Sequence, residues 1–378
     1  MAVASAPSIF QDFSAALDEL LFEVCEELQL TPARYDQAVE RYEAVGDLFE
    51  SEGSPFRQYR PKIYPQGSMS LGTTVKPIEG PHDLDFVCEL SLGHEFVDPM
   101  RLLHALYGFL RANATYRPMA SLMNRCVRLE YANEFYMDVL PACRNGFSNG
   151  TCIKVPDREV KGWKDSDPLG YAAWFERRSR ILFLERLLEK AEPVPAQQAV
   201  SEKKPLQLAV QLIKRRRDLY FVDSDLATVS VVLTTLAADV YRGEASVSQA
   251  ISSILAGIAA RIEAAQRSGR RLRVPNPANQ NEDLSERWDG NSPAYRAFQT
   301  YVEDFHIRWS RVMAKGGNVN AELEELFGEP VKAVLKKQAK RLQEDRVAGR
   351  LGVSGGGLIT VATSARLPMP PNTFHGAK

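Results

Sequence analysis

Tyr64-Pro65-Gln66-Gly67-Ser68-Met69-Ser70-Leu71-Gly72-Thr73-Thr74, followed by Asp83-Leu84-Asp85-Phe86-Val87, is the stretch that decides the fold. Asp83–Val87 reads as a strand. Its alternation sends Leu84 and Phe86 to one face and Asp83 and Asp85 to the other. Two carboxylates on one face repel each other, so a chain that keeps them there needs a compensating charge, and hard oxygen ligands suit Mg²⁺ or Mn²⁺. A second run, Glu134-Phe135-Tyr136-Met137-Asp138-Val139-Leu140, turns Phe135, Met137 and Val139 one way and Asp138 the other. Paired beside the first strand, it would complete a three-carboxylate cluster able to hold two cations about 4 Å apart.

The turn before the first strand is the second half of the pattern. Gly67 lets the backbone approach an anion, and Ser68 at a helix start offers a hydroxyl and N–H groups to phosphate. Gly67 and Gly72 mimic the spacing of a nucleotide-binding P-loop. Thr73-Thr74 stands where Lys-Ser/Thr is required, which excludes that class. Taken singly, an Asp-x-Asp pair is more often a solvated strand end, and Gly-Ser a capped surface helix. Their combination carries the reading.

Around this centre the chain divides by periodicity. Two helices are expected first, one opened by a Ser8/Gln11 capping box and continued by Phe13, Leu17, Leu20, Leu21, Val24 and Leu28, the other from Thr31-Pro32 to about Glu52. Residues 60–145 read as a small mixed sheet, with strands at 83–90, 125–131 and 134–140 and a helix near 98–112. A loop-rich stretch (145–168) leads to helices at about 169–190, 204–219, 225–242 and 246–268. An ordered loop (272–293) and two or three more helices to 348 follow. The expected domains are N-terminal helices at 1–59 with the first acting as a spine along both lobes, a catalytic core at 60–168, a helical lobe at 169–348, and a flexible tail at 349–378.

Composition narrows the functional classes. Of 378 residues 44% are hydrophobic and 25% charged, ordinary for a globular chain. Lys plus Arg total 47 against 48 Asp plus Glu, a net charge of -1, which argues against a protein built mainly to coat nucleic acid. No apolar run reaches membrane-spanning length, and the N-terminus lacks a secretory pattern. The five cysteines form no zinc or redox spacing, so a reduced, cytoplasmic protein is expected.

Gly67-Ser68, Asp83-x-Asp85 and the distant Asp138 resemble the DNA polymerase β-type nucleotidyltransferase signature. The fuller string through Leu71-Gly72-Thr73, Lys76-Pro77 and Asp83–Val87 is more specifically similar to the CD-NTases, the cGAS/DncV-like bacterial synthases of cyclic nucleotide signals in anti-phage CBASS systems. Pro205–Asp218, Val229–Ala237 and the Asn276-Pro277 to Arg287-Trp288 segment extend the resemblance over roughly residues 60–290. It implies an α+β fold, a polymerase β-like core with a mixed sheet plus a helical C-terminal lobe. It also implies two Mg²⁺ (or Mn²⁺) ions on Asp83, Asp85 and Asp138, and NTP contacts from Gln66, Gly67, Ser68, Lys214 and Ser230. A downstream effector that senses the product, and an activating or conjugating partner, belong to the same implication; a nucleic-acid template does not.

Read from the residues alone, Lys214 begins a basic helix end that suits either a triphosphate or the helix macrodipole. Arg215–Arg217 are expected on the surface, and His82 as a surface residue flanking its strand. Tyr171, Tyr220 and Phe221 could stack on a base, with core packing the more ordinary role. Two rivals use the same carboxylates or none: an RNA-tailing polymerase of the poly(A) or CCA type, and a catalytically silent nucleotide-binding sensor.

Overall fold

The computed structural model describes residues 9–132, 134–145, 150–180, 198–315, 318–353 and 359–361. Helices α1 (Ile9–Leu28) and α2 (Pro32–Glu50) lead into β1 (Lys62–Pro65), a one-turn α3 (Gly67–Ser70) and the long β2 (His82–Gly93). Then come α4 (Pro99–Ala112), β3 (Ala120–Leu122), β4 (Val127–Tyr131), β5 (Phe135–Arg144), β6 (Ile153–Asp157) and β7 (Gly162–Ser166). A cap-then-proline device starts several helices. Thr31 and Asp98 accept from the N–H groups of Arg34 and Arg101, with Pro32 and Pro99 in first position, where proline's missing donor costs nothing.

Among the described residues, seven strands form one mixed sheet, ordered β1-β2-β5-β4-β3, with β6 joined to the end of β5 and β7 beyond it. β2 and β5 run parallel; the other pairs are antiparallel. Leu84, Phe86, Cys88 and Leu90 of β2 and Phe135, Met137 and Val139 of β5 face α2 and α4, forming one core with Phe49 and Leu103. The even alternation read from the sequence therefore holds, and it leaves Asp83, Asp85 and Asp138 on the opposite face. The stretch expected as loop-rich contains the β6–β7 hairpin. Its five-residue strands have too mixed a pattern, Ile-Lys-Val-Pro-Asp and Gly-Trp-Lys-Asp-Ser, to announce themselves.

The helical lobe comprises α5 (Pro168–Ser179), α6 (Pro205–Tyr220), α7 (Ser230–Val240) and α8 (Val247–Arg267), a short β8–β9 hairpin (Pro275–Asn276 and Asn279–Asp283), then α9 (Ser292–Met313), α10 (Val319–Phe327) and α11 (Glu329–Val347). The expected extension of α5 to 190 falls outside the described residues, as do Ser8 of the first capping box and most of the tail. Within the tail, β10 (Leu351–Val353) pairs with β11 (Ile359–Val361). The hairpin β8–β9 occupies the stretch expected as an ordered loop. α1 buries Leu17, Leu21, Val24 and Leu28 in the helical core and its Leu28 carbonyl accepts from the Lys76 N–H at 2.7 Å, while α2 lies under the sheet. Arg215 and Arg216, expected on the surface, are buried. Their guanidiniums reach the Phe327 carbonyl and the Glu325 carbonyl with Asp304, tying α6 to α10 and α9. No described helix is long and apolar enough to cross a membrane.

Phe49 is fully buried, with Phe56 and Phe109 each 5.5 Å away between ring centroids. Phe49→Ala is expected to destabilise the sheet and the helices packed on it by about 3–5 kcal/mol, read as a lower denaturant midpoint, since it leaves an aromatic-sized cavity.

Candidate active site

The open face of the sheet gathers the acidic residues through strand register. Asp85 on β2 lies directly beside Asp138 on β5, and Asp83 beside Tyr136. On the other side of β5, Arg128 of β4 stands opposite Asp138. Its Nε and Nη2 donate to the two carboxylate oxygens of Asp138 at 2.7 and 2.8 Å, and Nη2 is 3.6 Å from Asp83. The same guanidinium lies 4.7 Å from the Tyr136 ring centre. Burial, together with Asp138 and Asp83, pushes the Asp85 carboxyl up to about 7.

The turn holding Gln66, Gly67 and Ser68 packs onto this acidic pair. The Gln66 N–H donates to the Asp85 carbonyl at 2.8 Å. Gly67 has φ +62°, and a Cβ there would come within 2.9 Å of Asp85 Oδ2, so only glycine permits both the turn and its approach. Ser68 is half-buried at the start of α3, and its carbonyl accepts from the Thr73 N–H at 3.0 Å.

Helix α6 fastens the far end of this turn. Gln207, Gln211 and Lys214 follow one helical stripe and donate to the carbonyls of Leu71, Thr74 and Thr73 at 2.9, 2.7 and 3.0 Å. Gly72 (φ +65°) is needed here, because a Cβ would stand 2.7 Å from Gln207 Nε2. Leu71 and Val75 complete the junction by inserting into the helical core.

Lys214 therefore lies inside the junction rather than on a solvated helix end. Burial and the neighbouring Arg217 pull its ammonium down to about 8, against the opposing pull of Asp218 and Asp85. Ser230, at the start of α7, accepts a hydrogen bond from Arg217, which also grips Asp218 and the Thr228 carbonyl. The positive field of Arg217 extends to Asp83. Asp83, Asp85, Asp138, the Gln66–Ser68 turn and Lys214 thus border one region where the sheet meets the helical lobe, and Ser230 is linked to it through Arg217.

His82 is buried, contrary to the surface position expected of it. Burial and the charges of Lys214 and Arg34 hold its imidazole down to about 4, so it is neutral at physiological pH. Tyr171, Tyr220 and Phe221 belong to the helical core. Tyr171 bonds Thr235 at 2.8 Å, and Tyr220 and Phe221 pack on Tyr301.

The donor set fits a hard divalent cation, being all carboxylate oxygen on one face, with burial first and the neighbouring Asp138 and Asp83 second holding Asp85 above its ordinary range. Among the described residues, however, no three acidic, His or Cys side chains converge as a metal site. Arg128 engages both oxygens of Asp138. This residue was missed in the sequence, although Val127-Arg128-Leu129-Glu130 alternates plainly once β4 is known to flank β5. The Gln207–Gln211–Lys214 stripe was equally readable as a helical face. Its partners, three backbone carbonyls, leave no trace in side chains. A further junction, Arg125 and Lys164 on Glu286 at 2.8 and 2.5 Å with Arg125 also on the buried Asp157, links β7 and the sheet to the helical lobe.

Comparison with known proteins gives the same picture. The family model for the Second Messenger Oligonucleotide or Dinucleotide Synthetase domain matches residues 16–178. A c-di-GMP synthase from Roseivirga ehrenbergii is 32% identical over 369 residues, covering 95% of this chain and 97% of that one. The cyclic dinucleotide synthase CdnG of Bradyrhizobium diazoefficiens is 30% identical over 311 residues, 73% of this chain and 71% of its own. The solved structure of the Bradyrhizobium CD-NTase CdnG in complex with GTP superposes with a TM-score of 0.72 at 23% identity, covering 86% of this chain and 99% of that one. That likeness shows a shared fold.

The raised Asp85 carboxyl has a measurable consequence. Between its ordinary 3.8 and about 7 the folded protein keeps a proton that the unfolded chain releases, so its contribution to stability falls as pH rises through that window. In metal-free protein, Asp85→Asn is expected to melt above the unsubstituted chain at pH 8, with the gap shrinking toward pH 5. A gap independent of pH would contradict the assignment.

Proposed function

The chain belongs to the CD-NTase family of cGAS/DncV-like nucleotidyltransferases, and we propose from that premise that it joins NTPs into a cyclic dinucleotide, with GTP as substrate and c-di-GMP as the first product to test. The observation that carries the reading is the register of β2 on β5. It sets Asp85 beside Asp138, with Asp83 on the same face, under the Gly67-Ser68 turn. The likeness to a named cyclic dinucleotide synthase along nearly the whole chain favours a cyclic product over RNA tailing or a silent sensor.

In this proposal Asp83, Asp85 and Asp138 hold two Mg²⁺ or Mn²⁺ ions, whose positive charge would offset the α-phosphate and the departing pyrophosphate. Gln66, Gly67 and Ser68 present the turn to the triphosphate. Lys214 fixes that turn through Thr73 and supplies positive charge near Asp85, while Ser230, oriented by Arg217, adds a hydroxyl on the opposite wall. A ribose hydroxyl of one nucleotide attacks the α-phosphorus of the other. The new P–O bond forms as the bond to pyrophosphate breaks, and the proton passes to Asp138. A second transfer within the linear intermediate closes the ring and releases a second pyrophosphate. Exclusion of water and orientation of the two nucleotides fall to the walls of the cleft. By the same premise the product is a cytoplasmic anti-phage signal read by a separate effector, and a partner protein controls its synthesis.

The test is incubation of the purified chain with all four NTPs and Mg²⁺ or Mn²⁺, followed by phosphatase and mass spectrometry. A phosphatase-resistant cyclic product is expected, with c-di-GMP foremost. Asp83→Ala/Asp85→Ala should lower its yield by at least about 10³-fold while leaving the melting behaviour folded. Linear products extended on added RNA would instead favour the tailing reaction.

A further inference from the structure

We infer that Arg128 is an internal competitor for the cation, holding Asp138 until a metal ion displaces it. The inference rests on the reading of Asp83, Asp85 and Asp138 as the metal-holding carboxylates. Three observations carry it. First, the guanidinium donates to both oxygens of Asp138, at 2.7 and 2.8 Å, and so uses the lone pairs a cation would take. Second, the same Nη2 lies 3.6 Å from Asp83. One positive group thus bridges two of the three carboxylates, where their repulsion calls for positive charge. Third, Arg128 is directly opposite Asp138 in the antiparallel β4–β5 ladder, so the contact is the resting outcome of strand register and needs no rearrangement to form.

The environment also gives the side chain somewhere to go. It lies over the Tyr136 ring at 4.7 Å and keeps 23% of its side-chain surface accessible. Cation–π contact with that ring survives a swing away from Asp138, which lowers the cost of release. A guanidinium cannot be neutralised at any working pH, so the competition is relieved by displacement alone. Arg128 is accordingly a positioning residue. It offsets part of the negative charge of the acidic face without metal, and it sets the threshold that a binding cation has to exceed.

Direct Mn²⁺ binding to the full chain, followed by loss of the free-ion electron paramagnetic resonance signal, tests this without reference to turnover. Arg128→Met keeps most of the aliphatic stem and removes the charge. It is expected to bind Mn²⁺ about tenfold more tightly than the unsubstituted protein, with Arg128→Lys in between, because an ammonium cannot span both oxygens. Unchanged or weaker binding by folded Arg128→Met overturns the inference; Arg128 would then be orienting Asp138 for metal. A second measurement needs no loss of the arginine. In arginine-labelled protein, the Arg128 Nε–H resonance, assigned with Arg128→Lys, should shift on saturation with Mg²⁺, and an unmoved resonance overturns displacement. Asp83→Ala/Asp85→Ala separates the two levels. If that variant binds Mn²⁺ as the unsubstituted chain does, the carboxylate site itself fails and this inference with it. If it loses Mn²⁺ while Arg128→Met gains nothing, only the competition fails.

Discussion

Three carboxylates on the open face of one sheet repel one another, and much of this molecule is arranged around that repulsion. The parallel pairing of β2 with β5 puts Asp85 and Asp138 side by side, and alternation adds Asp83. The opposite face, apart from His82 at the start of β2, is apolar and packed on α2 and α4, so the acidic face cannot be relieved by slipping a strand. A one-residue shift would bury the carboxylates and expose Leu84, Phe86, Met137 and Val139. The hydrophobic core thus fixes the charges, and the charges then require a cation or Arg128. Structure and chemistry share one cause here, the period of two.

The second organising element is the junction between sheet and helical lobe. The turn after β1 is held to β2 at Gln66 and to α6 by three side chains on the carbonyls of Leu71, Thr73 and Thr74. Lys214 joins the structural and chemical roles most closely. Its ammonium satisfies a backbone carbonyl in a buried place, yet its charge still reaches Asp85. Lys214 supports the turn from within, as a buried basic group beside the acidic face.

Much of this was legible in the residues. Period-two alternation in Asp83–Val87 and Glu134–Leu140 predicted which side chains share a face, and helical stripes predicted α4, α6, α7 and α8 within a few residues. What escaped was of three physical kinds. The β6–β7 hairpin joins a mostly buried strand to a half-buried one, neither with clean alternation, so its pairing is set by its neighbours. Arg215 and Arg216 are charged yet buried, because carbonyls at the end of α10 and Asp304 in the middle of α9 receive them; such partners are far away in sequence. Arg128 was visible as a strand residue, but its role depends on β4 flanking β5, a topological fact that alternation alone does not supply.

The clasp on residues 71–74 has a consequence for how this chain tolerates change. Because α6 donates to main-chain oxygens, its hydrogen bonds here do not depend on which side chains stand at 71, 73 and 74, although Leu71 also packs into the helical core. Thr73 shows this most clearly, since its buried hydroxyl has no hydrogen-bond partner among the described residues while its carbonyl accepts from Lys214. The linkage between the lobes is thus written in the geometry of the polypeptide itself, and sequence drift there can proceed while the architecture stands. Gly72 and Leu71 are the exceptions: a β-carbon at 72 would push Gln207 from its place, and the Leu71 side chain is seated in the helical core. The clasp therefore tolerates a change of side-chain chemistry at 74 and, within the same buried volume, at 73.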